Sequence, residues 1–477
     1  MAIKKFFATK DNTITNGYGS VKSTRATDAN MGAADIVEVY SLYGAFTTSS
    51  LEKARFLLQF DTTDIAQKRT DGDIPGSGSA TFFLKLTNAP HVGTQPTDFT
   101  LTVNAVSQSW DEGIGLDTEE YLDRGVSNWF TASFNGTSYT TWTAAGGDYH
   151  ANPEFKAVFG TGIEDLEVDV TDLVEEWLKG TKSNYGFFIK LTSSQESGEN
   201  NTIPSSSYYN KKFFARGSEY WFKRPALEAR WNSSRGDDRG NFYASSTLAS
   251  SAENSNNIYL YNNIRGELRD IPAIGTGPIY VKYYSTLGSA SINTSAVTGG
   301  QTGDSGIYSA SAALATTAST IYDVWYGSDG HIYHTGSAIS VKDFKSDTYN
   351  PDSQYVINVT NLRPTYSTGS GGVSRIRLYI RKKGWSPTIY TVATSEISTE
   401  IVEKVYYSIK RVVDNYVVTP FGTGSTQETL MSYDISGSYA DIDFTNFETG
   451  YQYEIAFKLY LQGRYIQPAN TFKFRVD

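Results

Sequence analysis

The chain of 477 residues contains no cysteine and only four histidines. Without cysteine there can be no disulfide bridge and no thiolate metal site. His331 and His334 lie three residues apart on a predicted strand, so their side chains point to opposite faces and do not share a metal ion. His91 and His150 each stand alone beside turn residues. The scarcity of these residues predicts that the chain has no metal site.

Long apolar runs and basic blocks are also missing. Residues 1–17 lack the apolar core of a secretion signal, and no run approaches the length of a membrane-spanning helix. The net charge of −10 is a mild acidic excess, and no basic cluster marks a nucleic-acid-binding surface. We expect a protein made in a cytoplasm without a signal peptide, without membrane insertion and without a nucleic-acid partner. Cell lysis would be its route to the outside.

The chain is rich in residues that form strands and turns. Tyrosine occurs 34 times and phenylalanine 25 times, and 42 glycines supply turns together with Ser, Thr, Asn and Asp. This composition predicts an all-β fold built from sandwiches. The length predicts two to four domains, because a single hydrophobic core does not grow to this size.

Strand patterns and one polar segment divide the chain into blocks. We predict a large sandwich over residues 1–231 and a Gly/Ser-rich linker over 232–255. Strands at regular spacing then predict two Ig-like sandwiches, over 256–350 and 351–477.

A single helix is predicted in the first block, in the sequence LEVDVTDLVEEWLKG. Its apolar residues fall on one stripe at helical spacing, acids occupy the first turn, and Gly180 can end the helix. We predict a helix over 171–179 that seals one end of the sandwich, with its glutamate face in water. Four side chains are predicted to enter the core: Leu173, Val174, Trp177 and Leu178.

The order of segments in residues 1–231 resembles the DNRLRE-type domain. The most specific part of the resemblance is a series of residues in the sequence: Trp110, Glu112, Asp169, Val170, Thr171, Trp177, Asn184 and Gly186. The resemblance implies a jelly-roll-like β-sandwich with one short helix, similar in shape to carbohydrate-binding modules and found in surface and virion proteins. The family has no single activity, so the resemblance implies a fold more than a function.

Catalytic signatures such as G-x-S-x-G, H-E-x-x-H and the P-loop are absent from the sequence. The acid pairs Asp111–Glu112 and Glu119–Glu120 flank a long loop, and two carboxylates across a sugar are the arrangement of a glycosidase. The alternative is that they are two of many acidic residues, with Asp111–Glu112 belonging to the structural pattern of the resemblance. We predict no catalytic residue, no metal ligand and no cofactor. A structural calcium ion stays open, although no loop has a known calcium spacing.

Three aromatic residues of the same loop are candidates for contact with a glycan: Trp129, Trp142 and Tyr149. Planar rings can stack on the apolar C–H face of a sugar while its hydroxyls stay in water. The alternative is that the rings pack the loop onto the sandwich. Residues 235–237 read Arg-Gly-Asp, a cell-attachment tripeptide that also arises by chance in linkers.

Three functional classes remain open. A row of sandwiches without an export signal or a catalytic signature resembles the structural proteins of tailed bacteriophages, particularly of marine phages. Such a chain would serve as a fibre, collar or neck, tail attachment or capsid decoration of the virion. Its partners would be other virion proteins, further copies of itself in a homo-oligomer, and a host surface glycan. The other two classes are a carbohydrate-binding adhesin or surface module, and an enzyme; we expect the first class.

Overall fold

The computed structural model describes residues 2–19, 24–43, 50–91, 95–118, 123, 126–196, 208–343, 354–369, 372–386, 389 and 399–477. Within these residues the chain forms two compact units, Ala2–Trp231 and Asn232–Asp477. Nearly all regular structure is β-strand, which confirms the predicted all-β class. Neither α-helix in the described part of the chain has the length and apolar character needed to cross a bilayer.

The first unit contains the following strands and helices: β1 (Ile3–Phe7), β2 (Lys10–Thr15), β3 (Ile36–Tyr43), β4 (Leu51–Gln59), α1 (Thr62–Thr70), β5 (Thr81–Leu86), β6 (Phe99–Val106), β7 (Thr131–Phe134), β8 (Tyr139–Thr141), β9 (Tyr149–Phe159), β10 (Leu166–Asp169), α2 (Thr171–Lys179), β11 (Phe187–Leu191), β12 (Tyr208–Phe214) and β13 (Ala226–Arg230). A four-stranded sheet has the order β1-β13-β5-β10. A seven-stranded sheet has the order β12-β3-β4-β11-β6-β9, with β2 paired to β4.

The core of the first unit lies between these two sheets. Alternate residues of β5, including Phe82 and Leu84, belong to the same buried cluster as Phe56 of β4 and Phe187 of β11. This arrangement is a β-sandwich, in which each sheet buries one apolar face against the other.

The other face of the seven-stranded sheet is covered as well. Leu57 of β4 and Phe188 of β11 point away from the main core and form a second buried cluster with Trp110, Trp129 and Trp142. Because both faces are covered, consecutive residues of β4 (54–58) and of β11 (187–191) are buried instead of every second one. The long loop between β6 and β9 supplies the tryptophans of this second cluster.

Helix α2 confirms the helix predicted over 171–179. Leu173, Val174 and Trp177 are buried in the main core, and Leu178 packs against it half-buried. Trp177 contacts Phe187 at 4.8 Å between ring centroids. Gly180 ends the helix in the left-handed conformation, at a φ of 72°.

The prediction that the glutamate face of α2 meets water is wrong for Glu175. Its side chain is buried because α1, the second helix of the unit, packs beside it. Arg69 of α1 donates to both carboxylate oxygens of Glu175, at 2.5 and 3.1 Å. Helix α1 was not predicted, since the sequence indicated a single helix in this unit. Asp61 caps it by accepting from the backbone N–H of Thr63.

The second unit begins with a single eight-stranded sheet and a separate small hairpin. The strands are β14 (Phe242–Tyr243), β15 (Asn256–Tyr261), β16 (Asn263–Ile264), β17 (Glu267–Leu268), β18 (Ile279–Tyr284), β19 (Val297–Gln301), β20 (Ile307–Ala312), β21 (Thr320–Tyr326), β22 (Ile332–Thr335) and β23 (Ile339–Lys342). The order is β14-β23-β21-β18-β19-β20-β15, with β22 paired to β21; β16 and β17 form the hairpin. The amide of Asn256 bonds to both the N–H and the C=O of Tyr243, so β15 and β14 are joined through a side chain.

Two sheets complete the second unit. Their strands are β24 (Tyr355–Val359), β25 (Thr365–Tyr366), β26 (Val373–Lys382), β27 (Val405–Arg411), β28 (Val417–Thr419), β29 (Ser432–Asp434), β30 (Gly437–Asp443), β31 (Tyr451–Leu461), β32 (Arg464–Ile466) and β33 (Phe472–Val476). One sheet has the order β24-β26-β30-β29. The other has the order β25-β33-β31-β27-β28, with β32 paired to β31.

Residues 232–255, predicted as a linker, are a folded part of the second unit. Gly236 pairs with Tyr433 of β29, and a Cβ atom at position 236 would lie 2.5 Å from the Tyr433 hydroxyl. Asp238 accepts from that hydroxyl at 2.7 Å, and Arg239 donates twice to Asp323 of β21, each time at 2.8 Å. Glycine is therefore present here for close approach rather than for flexibility, and the segment ties β29 to β21.

Candidate functional site

The three aromatic residues predicted to contact a glycan are packed into the fold. Trp129 and Trp142 are only 7% and 5% exposed. Arg55 lies 5.4 Å from the centre of the Trp129 ring, and the Trp142 indole N–H donates to the Asn128 carbonyl at 2.8 Å. The half-buried Tyr149 ring stacks on Phe188, at 4.9 Å and 13°. These rings hold the loop onto the sandwich, which is the alternative that the sequence left open for these candidates.

The carboxylates of Asp111 and Glu112 also hold the loop in place. Asp111 accepts from the backbone N–H of Phe134 at 3.2 Å. Glu112 accepts from the backbone N–H of Asp11 at 2.8 Å and receives two bonds from the Arg216 guanidinium, at 3.1 and 2.8 Å. Both carboxylates thus have structural partners. The second acid pair, Glu119–Glu120, lies outside the described residues.

Asp11 is the most strongly perturbed acid of this cluster. Its side chain is 1% exposed, and Oδ2 accepts from the backbone N–H of Arg216 while Oδ1 has no partner among the described residues. Burial, with a further contribution from the nearby Glu112 carboxylate, raises the pKa of Asp11 to about 7. No sequence signal distinguishes Asp11, because both of its neighbours in β2, Lys10 and Asn12, are polar as well.

The Arg-Gly-Asp tripeptide is not displayed. Asp237 is 7% exposed and accepts from the backbone N–H of Arg239 at 3.2 Å. Burial raises its pKa to about 6. A carboxylate that recognises a receptor must be reachable, so the tripeptide is part of the segment that ties β29 to β21 rather than an attachment motif.

Three of the four histidines lie in different surroundings. His331 packs against Tyr333 at 4.8 Å, and His334 is paired with Trp325 in the β21–β22 ladder. Burial lowers the pKa of His91. In the ranges that the structure describes, no group of three or more His, Asp or Glu side chains is placed to hold a metal ion.

Two other rings of the loop are exposed, and sequence reasoning missed both. Phe130 is 52% exposed at the start of the β7–β8 hairpin, and Tyr139 is 58% exposed on β8. Tyr139 stacks on Phe134 at 4.6 Å and 30°. Whether Trp129 or its neighbour Phe130 is the exposed ring depends on which face of the loop turns inward. An irregular loop has no repeating spacing from which that face could be predicted.

The free edge of β9 is the second exposed feature of the first unit. The N–H and C=O of Thr100 on β6 bond towards the β11 side, at 3.2 and 3.3 Å. Thr100 is opposite Val158 in the ladder. Because the backbone groups of alternate residues in an antiparallel strand point to opposite sides, the N–H and C=O groups of Lys156 and Val158 point away from β6. They point towards the edge at which β9 has no partner strand among the described residues. Val158 is 75% exposed, and the Glu154 carboxylate lies 3.2 Å from the Lys156 ammonium.

Comparison with known proteins adds no relative. No family model matches the chain, and no curated protein is significantly similar to it. The resemblance of residues 1–231 to DNRLRE-type domains therefore stays a prediction.

Proposed function

We propose that the chain is a non-enzymatic structural protein of a tailed-phage virion, acting through protein–protein assembly. One observation carries the proposal: the side chains that were candidates for ligand binding or catalysis hold the fold together instead. Trp129 and Trp142 pin a loop, Glu112 binds Arg216, and Asp237 is buried beside Arg239. Interactions that order the loops in this way are expected where loops and sheet edges must keep a fixed shape to bind a partner protein.

The resemblance of the sequence to phage structural proteins supplies the virion part of the proposal. Two compact β units in one chain suit a fibre, a collar or neck component, a tail attachment or a capsid decoration. In each of these roles the protein would be made in the host cytoplasm and reach the outside within the particle.

We propose that assembly with further copies of the chain uses the edge of β9. An unpaired edge offers N–H and C=O groups to another strand, and natural proteins block such edges where pairing is harmful. At one end of this edge, Lys182 donates to the Asn152 carbonyl at 3.0 Å. The charges of Glu154 and Lys156 complement those of an antiparallel second copy, which favours a homo-oligomer at this edge.

The test of the virion role is the composition of purified particles. Particles from a culture that carries the coding sequence would be banded by density and analysed by mass spectrometry, and antibodies against the recombinant chain would locate it by immunogold labelling. We expect the chain at a stoichiometric copy number and labelling at one position on the particle. Its absence from intact particles, with the chain free in the lysate, would refute the role.

The alternative function is a carbohydrate-binding adhesin or surface module. The exposed Phe130 and Tyr139 favour it, because half-exposed rings on a hairpin can stack on sugars. Binding of the chain to a glycan array, lost in a Phe130→Ala/Tyr139→Ala double variant and kept in a Trp142→Phe variant, would support this function. A host glycan bound by an intact particle would satisfy both functions, so particle composition decides between them.

A further inference from the structure

The outward face of the sheet that contains β27, β31 and β32 alternates lysine with tyrosine. The residues that point inward from β27 and β31 are buried. Those that point outward form cross-strand pairs, and among them Tyr406 is only 2% exposed. Tyr406 stands opposite Lys458, and Tyr460 stands opposite Tyr465. The backbone carbonyl of Lys404 accepts from the N–H of Tyr460, so Lys404 extends the pattern by one pair. We call these five residues the lysine–tyrosine face.

The members of the lysine–tyrosine face are in mutual contact. The Lys404 ammonium lies 5.4 Å from the centre of the Tyr460 ring, and the Lys458 ammonium lies 5.8 Å from that of Tyr465. The Tyr460 and Tyr465 ring centres are 4.9 Å apart. Tyr465 is 49% exposed, and Lys404 is exposed. Lys458 is half-buried, and its ammonium also lies 4.3 Å from the centre of the Phe421 ring. Each cation is therefore held beside aromatic rings, of which Tyr465 is open to water.

The two lysines of this face differ from a third lysine on the same sheet. Lys410 also lies on β27 and forms an ion pair with Glu454, at 2.8 Å. Among the described residues, neither Lys404 nor Lys458 has a carboxylate within ion-pair distance. The lysine–tyrosine face thus presents two uncompensated positive charges on a chain whose net charge is −10.

We propose that the lysine–tyrosine face binds an acidic polysaccharide. A pyranose ring lays its apolar C–H face on an exposed aromatic ring, which Tyr460 and Tyr465 provide. A uronic acid carboxylate then meets the ammonium of Lys404 or Lys458 in a charge-assisted hydrogen bond. The lysines are already oriented by the neighbouring rings, so less side-chain entropy is lost on binding.

The charge density of the face favours a polysaccharide over a single-stranded nucleic acid. Nucleic acids carry a phosphate at every nucleotide and bind proteins that neutralise many phosphates at once. Two uncompensated lysines on an acidic protein are too few for that. An acidic polysaccharide carries fewer charges for its length and has apolar sugar faces between them. The proposal does not depend on the virion role, since the face would bind the same ligand on a particle or on a free chain.

The test uses the full chain and polygalacturonate as the probe, by isothermal titration calorimetry at low salt. We expect binding that weakens as salt is added, because ammonium–carboxylate contacts are screened. A Lys404→Gln/Lys458→Gln double variant should bind at least about tenfold more weakly, the equivalent of about 1.4 kcal/mol. Lys410→Gln is the matched control, because it removes a charge that Glu454 already compensates, and it should bind like wild type.

Each outcome separates the possibilities. No binding of polygalacturonate by wild type, or equal binding by the double variant, overturns the proposal. A thermal melt checks that the variants are folded, and Tyr465→Ala gives an independent second variant that should also weaken binding. Binding of oligodeoxythymidylate as tight as that of polygalacturonate would overturn the choice of ligand class. Loss of binding in Lys410→Gln to the same extent would show only a response to net charge and would overturn the assigned face.

Discussion

Asp11 makes the first unit less stable as the pH rises, whereas acids whose pKa is lowered by folding make a protein more stable as the pH rises. Its pKa in the folded protein is raised to about 7 from an ordinary value of 3.8. The fold therefore favours the neutral carboxyl, so the contribution of Asp11 to stability is complete below about pH 4 and is lost as the pH rises to about 7. Over that window the loss is on the order of a few kcal/mol.

The pH dependence can be measured as the difference in free energy of unfolding between wild type and Asp11→Asn. The amide keeps an oxygen for the Arg216 N–H and cannot ionise. Urea denaturation at a series of pH values should show the variant gaining stability relative to wild type between pH 4 and pH 7, whatever its stability at pH 4. A constant difference across this window would mean that Asp11 does not titrate there.

Trp177 is the residue on which the helix prediction depends most. It is 5% exposed and packs against Phe187. Trp177→Ala should destabilise the first unit by about 3–5 kcal/mol, because a large core side chain is replaced by a cavity. Lys179→Ala, an exposed change in the same helix, should stay within about 0.5 kcal/mol of wild type. Denaturation midpoints check both, and an Ala variant that unfolds like wild type would contradict the core position.

The two helices show which elements the sequence could predict. Helix α2 was found because four of its nine residues fall on one apolar stripe, so periodicity alone identifies it. Helix α1 buries only Ile65, and apart from Ala66 the rest of TTDIAQKRT is polar. Its remaining signals are the Asp61 cap and the basic last turn, which also suit an exposed turn. The burial of Glu175 could not be predicted either, since it depends on α1 being there.

Which side chains of a loop are buried was harder to predict than which side chains of a strand are, because a loop lacks a repeating pattern. The outward positions of β26 could be assigned from alternation: Ile376, Leu378 and Ile380 are buried, while Arg375 and Arg377 flank Tyr439 and bind Asp441 and Asp434. The loop that carries Trp129, Trp142 and Phe130 has no period. Which ring is buried is decided by the outer face of the seven-stranded sheet, which the loop covers.

At the scale of the whole molecule, the role of residues 232–255 can be tested by truncation. A true linker could be removed without loss, whereas the ties from Gly236, Asp238 and Arg239 predict that it cannot. We expect residues 232–477 to give one cooperative thermal transition and residues 256–477 to melt lower or fail to fold. Calorimetry on the two fragments decides, and equal melting temperatures would restore the linker interpretation.

The last prediction tests the assembly edge with complementary charges. If two copies pair antiparallel along β9, Glu154 of each copy lies opposite Lys156 of the other. Glu154→Lys and Lys156→Glu should then each abolish self-association, because each places like charges opposite one another. Mixing the two variants restores both attractive pairs, so the mixture should form a heterodimer that neither variant forms alone.

Light scattering of wild type, of each variant and of the mixture measures this self-association. Glu219→Lys, at an exposed acid that follows β12 at the opposite edge of the sheet, is the control for net charge and should associate like wild type. A monomeric wild type would contradict pairing at this edge in the free chain, and association of wild type unaffected by either variant would place the contact elsewhere.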